Sequence, residues 1–332
     1  MDLNRRSLLT SLAVIPVLGT LASCGGTGGT GGETVSVNFG YIPDFEGTSL
    51  LAVANGQKLW DKHGLKAELK TFTNGPLQIQ AMGTGDLDFG YIGPGAMWLP
   101  ASGKARIVAI NATGRADRVI AQAGITTIAD LKGKKVAVPE GTSGDMILQL
   151  ALAEAGMTLN DVEAVAMDPS TIVAAFSAKQ VDAAGIWYPL IDSIKEQVPD
   201  LVELAKNTDF EDKMAFPSVF VSGADLPEKQ PDKLGKVLKV IREAMDYRKE
   251  HMDETLKLVA DMNDLEVESL RTAATYAQFY SSSELDTMTQ DGTTTKWFTA
   301  MTDFFVGNGK IEGKPLPIDE FYLGDAFMKA GK

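Results

Sequence analysis

Small, hydroxylic and acidic residues recur in this chain where an apolar run ends and a helical pattern begins. KKVAVPEGTSGD (134–145) is the clearest case: a short apolar strand, Val136–Val138, then a turn, then the helical pattern MILQLALAEAG. A helix start leaves its first backbone N–H groups unpaired and carries the positive end of the helix dipole. Gly141 and Gly144 remove side-chain bulk there, so Thr142, Ser143 and Gly144 form a seat for a small anion such as a sulfonate, carboxylate or phosphate. The same Thr142 or Ser143 would equally serve as the cap of its own helix. Hydroxyls, backbone donors and carboxylates of this kind hold a ligand. Bond-breaking chemistry is harder to assemble, because the chain has two histidines, His63 and His251, and one cysteine, Cys24. Neither a Cys/His metal site nor a Ser–His or Cys–His couple is readily built from them, so no metal, no cofactor and no enzyme is expected.

The elements that position these residues alternate between strand and helix. Val35, Val37 and Phe39 alternate with polar partners in TVSVNFGYIP, a strand, and Leu50, Leu51, Val53, Ala54 and Leu59 mark a helix from about Gly47. Further strands are read at 65–73, in GDLDFGYIGPG, and at 106–113 and 117–123. This alternation predicts an α/β lobe with a largely parallel sheet, whose ligands sit off the carboxyl ends of the strands. Three loops are so placed: Tyr41 to Glu46, Gly93 to Gly95, and Asn111 to Gly114. The pattern then restarts. VEAVAM leads into Asp168-Pro169-Ser170, and KQVDAAGIWYP (179–189), ending on Trp187 and Tyr188, parallels GDLDFGYIGPG (85–95). Two similar lobes predict a cleft between them. SVFVSGADL (218–226) returns the chain to the first lobe, and the remainder reads as helical scaffold, including a helix over 265–278. Trp297, Phe298, Phe304 and Phe305 are read as packing.

Composition narrows the class. A length of 332 residues suffices for two lobes, and 44% hydrophobic with 23% charged residues is globular. A formal net charge of −13 argues against nucleic acid, which needs basic surface. At the N-terminus, Arg5 and Arg6 precede an apolar stretch, Leu8 to Leu18, too short for a comfortable membrane span. Leu21-Ala22-Ser23-Cys24 resembles the bacterial lipoprotein signal, in which the cysteine is lipidated, and the Arg-Arg pair also fits twin-arginine export. GGTGGTGG (25–32) then reads as a flexible tether. The expected layout is a signal peptide at 1–23 and a tether at 24–33. One lobe takes 34–120 with 220–332, and the other 121–219.

GDLDFGYIGPGA (85–96), IADLKGKKVAVPEGTS (128–143) and DPSTIVAAFSAKQVDAAGIWYPLIDSI (168–194) together resemble the solute-binding proteins of ABC importers, in the branch for taurine, aliphatic sulfonates, nitrate and thiamine precursors. The last phrase is especially similar to taurine-binding members. The resemblance implies a type II periplasmic-binding-protein-like α/β fold, two lobes hinged by crossover strands near Val119–Ala123 and Val219–Ser222. It implies a monomer, lipid-anchored outside the cytoplasmic membrane, that hands a small ligand to an ABC permease. Carried onto this chain, it assigns an anionic group to Gly93, Pro94, Gly95, Ala96, Thr142, Ser143 and Gly144; Asn111, in the loop off the strand ends, is a further candidate for the site. Tyr41, Phe45, Trp187 and Tyr188 become aromatics of the mouth.

Charge refines the ligand. The mouth loops carry Asp44, Glu46, Glu140, Asp145 and Asp168 against one nearby cation, Arg115. A wholly anionic ligand would meet net negative charge in a low-dielectric cleft. A zwitterion fits better: sulfonate on the helix starts, amine on Glu46, Asp44 or Asp168, with Trp187 able to face a cation. Those acids could also be solvated rim residues or helix caps. The expected ligand is therefore a taurine-like aminosulfonate. A simple alkanesulfonate comes next, and further alternatives are a thiamine-precursor pyrimidine, nitrate, an aromatic acid, or a sensor presenting its ligand to a membrane receptor.

Overall fold

The computed structural model describes residues 34–332. The signal-like segment, Cys24 and the glycine tether lie outside the described residues. Among the described residues, eleven strands form two sheets: β1 (Val35–Tyr41), β2 (Leu65–Thr71), β3 (Phe89–Ile92), β4 (Ala105–Gly114), β5 (Asp117–Ala121), β6 (Lys135–Val138), β7 (Glu163–Ala166), β8 (Ala183–Trp187), β9 (Val202–Lys206), β10 (Pro217–Gly223) and β11 (Ala277–Phe279). One sheet runs β11-β4-β10-β3-β1-β2 and the other β7-β6-β8-β5-β9.

The largely parallel sheet expected from the βα alternation is found only in part. β2-β1-β3 and β7-β6-β8 are parallel, while β10, β4 and β11 in one sheet, and β5 and β9 in the other, pair antiparallel. Four of these antiparallel strands, β4, β5, β9 and β10, flank the points where the chain passes from sheet to sheet. The changeover lies at residues 115–116, between β4 and β5, and at 207–216, between β9 and β10. Val119–Ala123 and Val219–Ser222, where the crossover strands were expected, fall in or just after β5 and within β10, the strands that follow the two changeovers.

The first sheet is sealed by a phenylalanine stack. Phe39 on β1 lies 5.7 Å from Phe89 on β3 and 5.5 Å from Phe220 on β10, ring centroid to centroid. The Phe45–Gly56 helix packs over it with Leu50, Leu51, Val53 and Ala54 buried. The Pro231–Glu250 helix turns Leu234, Val237, Leu238, Ile241 and Met245 inward, the face its spacing predicts. Phe298 and Phe305 are buried as packing residues. The expected helix over 265–278 is cut short. It spans Val267–Ala274, and Ala277–Phe279 becomes β11, closing the edge of β4 at Ala112–Gly114. Tertiary pairing there overrides local propensity, and Phe279 gains a buried place. No helix among the described residues is long and apolar enough to cross a membrane.

Candidate functional site

Three segments from the first sheet build one wall of a cleft. β1 ends at Tyr41, and the chain turns through Asp44, whose carboxylate accepts from the Gly47 N–H at 2.6 Å and so caps the Phe45–Gly56 helix. Gly47 is required here, because a Cβ would lie 2.4 Å from the Ile42 carbonyl oxygen and 2.9 Å from the Tyr91 ring. Glu46, in the first turn of that helix, accepts from the Ser218 hydroxyl at 2.6 Å. Asn74, Gly75 and Pro76, at the start of the Gly75–Thr84 helix, join Gly93, Pro94 and Ala96 after β3 to complete this side.

The second sheet supplies the facing wall: Asp117 at the start of β5, Thr142 and Ser143 after β6, and Trp187, Tyr188 and Pro189 after β8. Asp117 is held by Asn207 from the second changeover segment. Its N–H donates to Asn207 Oδ1 at 2.7 Å, and Asn207 Nδ2 donates to its carboxylate at 2.9 Å. Ser143 also lies close enough to that carboxylate to favour its charged form. The two walls touch where Gly95 meets Thr142. A Cβ on Gly95 would fall 2.0 Å from the Thr142 carbonyl, so only glycine permits this approach.

Three carboxylates therefore share the cleft, and each is held above its ordinary range. Burial pushes Asp44 up to about 7, against the opposing pull of the Gly47 N–H, and the charge of Asp117 adds to it. Burial and the neighbouring Asp44 charge push Glu46 up to about 8, with Ser218 opposing. Burial also raises Asp117, while Ser143 and Asn207 work the other way. These acids have no direct cationic partner among the described residues. Arg248 lies behind them, fully buried. It donates to Ser49 Oγ (2.8 Å), Asn111 Oδ1 (2.7 Å) and the Asn111 carbonyl (2.9 Å), with its guanidinium 4.3 Å from the Phe279 ring centroid. Burial lowers Arg248 to about 9, and the Glu46 charge opposes that shift. Arg115 is committed to Glu211, and Arg118 to Glu203 with its face 5.3 Å from the Tyr188 ring centroid. Among the described residues no group of three or more His, Cys, Asp or Glu is placed to hold a metal ion.

Of the residues singled out from sequence, the structure gathers Asp44, Phe45, Glu46, Gly93, Pro94, Ala96, Thr142, Ser143, Trp187 and Tyr188 around this cleft. Five others stand elsewhere. Tyr41 is in the core, on the same strand face as Val37 and Phe39. Gly95 serves the contact between walls. Asn111 is fully buried, tying Arg248 to the Glu46 carbonyl through its Nδ2 at 2.9 Å. Gly144 packs on β8, where its Cβ would lie 2.4 Å from the Gly185 carbonyl oxygen. Asp168 caps the Pro169–Ser177 helix and accepts from Thr73 Oγ1 at 2.9 Å. Thr142 does not cap its helix: its hydroxyl donates to the Pro139 carbonyl at 2.6 Å. Tyr188 spends its hydroxyl on Glu203 and stacks on Tyr276 at 4.5 Å. Sequence reasoning missed Asp117, Tyr91, Ser218 and Asn74. Asp117 left one trace, an acid opening a short strand that continues Arg118-Val119-Ile120-Ala121.

The NMT1/THI5-like family description matches residues 48–255. A chain of Brucella abortus (strain 2308), provisionally named a binding protein, is 51% identical over 295 residues, covering 89% of this chain and 92% of that one. A Bacillus subtilis (strain 168) protein, provisionally named as binding aliphatic sulfonates, is 29% identical over 214 residues, 62% of this chain and 63% of its own. Among solved structures, the alkanesulfonate-binding protein SsuA of Xanthomonas axonopodis pv. citri, bound to MOPS, superposes with a TM-score of 0.68 at 22% identity. It covers 88% of this chain and 99% of its own. The two-sheet arrangement is that of periplasmic binding proteins.

Proposed function

This chain belongs to the NMT1/THI5-like family, and from that premise we propose that it is the extracytoplasmic solute-binding component of an ABC importer, selecting a small solute that carries a positive group. One observation carries the ligand class: the Asp44, Glu46 and Asp117 carboxylates line one cleft and none of them forms an ion pair among the described residues, Arg118 being paired with Glu203 and Arg115 with Glu211. A buried carboxylate cluster is costly unless protonated or paired, and an ammonium group entering it supplies the missing partner. The uncapped helix start at Ser143 remains for an anionic group at the other end of the ligand. An aminosulfonate such as taurine has both, and the sulfonate-binding names borne by relatives support that choice.

The protein binds and releases; no bond is made. Neither His63 nor His251 lines the cleft. The two sheets, joined by two changeover segments, act as lobes that close on the solute. The permease reads that closure as a shifted population. Cys24 carries the lipid that holds the domain at the outer face of the membrane, and the domain works as a monomer.

A second reading is an aminopyrimidine of the thiamine-precursor type. The aromatic walls Tyr91, Phe45 and Trp187 beside the acids favour it, since a flat ring with an exocyclic amine would stack and donate together. Thermal-shift titration with taurine, ethanesulfonate, nitrate and 4-aminopyrimidine separates these. Stabilisation by an amine-bearing compound and none by nitrate is expected; a preference for nitrate or ethanesulfonate would remove the cation from the proposal.

A further inference from the structure

The acidic cleft does not end at its carboxylates. Ile42, Asp44, Trp187 and Pro189 belong both to it and to a second chamber further out, whose remaining walls include Phe72, Pro169 and Leu190. This outer chamber is almost wholly apolar, while the inner one is acidic. Its rim is bridged by a single bond between the two sheets' loops: Thr73, after β2, donates to Asp168, after β7, at 2.9 Å. Water in a chamber of such lining has few partners, so displacing it by carbon is favourable. A ligand atom attached to a group held between Asp44 and Asp117 has Trp187 and Pro189 as its way outward, and these lead to Phe72 and Leu190.

We propose that the outer chamber is a subsite for the apolar tail of the ligand, so that the solute class is an amphiphile: a compact cationic head with a chain of several carbons or a ring. The proposal rests on the cation-binding reading of the inner cleft. Asp168, at the rim, then acts through its bond to Thr73, holding the two walls together over the tail rather than touching the head.

The test titrates the full chain at pH 8 with two series, ethylamine, butylamine and hexylamine, and ethanesulfonate, butanesulfonate and hexanesulfonate. Hexylamine is expected to bind at least about thirtyfold tighter than ethylamine, since each buried methylene contributes several-fold. Phe72→Ala and Leu190→Ala, made separately, should each remove most of that gain and leave ethylamine binding unchanged. If chain length matters only among the sulfonates, the chamber stands and the cationic head is wrong. If the amines bind with equal affinity whatever their length, the head stands and the tail subsite is wrong. Absence of a chain-length gain in both series overturns the proposal outright, and the wild-type series decides it even if a variant fails to fold.

Discussion

Two helices begin at this cleft, and they treat their first turns in opposite ways. The Phe45–Gly56 helix fills its own anion seat: Asp44 caps it, and Glu46 sits in its first turn. The Ser143–Glu154 helix has no side-chain cap. Thr142 turns its hydroxyl to the Pro139 carbonyl, and Ser143 favours the charged form of Asp117. Both are strand–turn–helix junctions with small residues, and from local sequence both offer backbone donors. Both helices carry an acid in the first turn, Glu46 and Asp145; what separates them is the cap, since the Asp145 carboxylate accepts from the Gly141 N–H at 2.8 Å and no side chain caps that helix. At the first junction the helix dipole is already answered by a carboxylate of the chain, so the spare capacity there is for positive charge. At the second the donors remain open. One cleft thereby holds an acid-capped helix start and one without a side-chain cap.

The largest effect should come from erasing the acids at the first helix start. Asp44→Asn with Glu46→Gln keeps the shape and removes both charges, and charge-assisted hydrogen bonds contribute about 1.5–3 kcal/mol each. Taurine affinity, measured by calorimetry, should fall by about a hundredfold or more, while ethanesulfonate binding should hold or improve. An equal loss for both would merge the two sides of the comparison.

The glycines at the second junction come next, and they divide. Gly144→Ala pushes a Cβ into the Gly185 carbonyl within one lobe, so unfolding stability should drop by about 1–3 kcal/mol in denaturant titration. Gly95→Ala strikes Thr142 across the cleft. Denaturation should scarcely notice it, while ligand affinity weakens because closure is obstructed.

A smaller effect follows from pH. Asp44 and Glu46 stand at about 7 and about 8, above their ordinary range, because burial disfavours their charge. The folded protein therefore binds more protons than the unfolded chain between the ordinary carboxylate range and pH 8. The ligand-free melting temperature should fall across that window as pH rises, by a few degrees. Binding of an amine should do the reverse, tightening with pH and releasing protons at pH 7.5, measurable as buffer-dependent heat. Proton uptake would assign the cleft to anions. The smallest change should be Thr142→Ala, about 0.5–1 kcal/mol of stability with the amine preference intact, because that hydroxyl serves Pro139 rather than a ligand.

The order of strands and helices could be read from hydrophobic period, and Asp44 and Glu46 could be placed because an acid between a strand and a helix has few other positions to occupy. Tyr41 was also legible in principle: it shares the alternation of Val37 and Phe39, which the core claims. Other features depend on contacts that no local pattern encodes. Gly144 and Gly185 need each other across a helix–strand contact 41 positions apart. Asp117 reaches the cleft only because the chain changes sheet just before it, which places a cleft-lining carboxylate at the head of a strand. β11 exists because the β4 edge needed a partner, against the helical bias of its own neighbourhood.

The most direct measurement compares taurine and ethanesulfonate by calorimetry at pH 8, on the wild-type chain and on Glu46→Gln. The account predicts at least about tenfold tighter taurine binding by the wild type, a gap of roughly 1.4 kcal/mol, and its collapse in the variant. Ethanesulfonate binding as tightly as taurine to the wild type, or a gap that survives the substitution, would contradict the claim that these carboxylates read a positive charge.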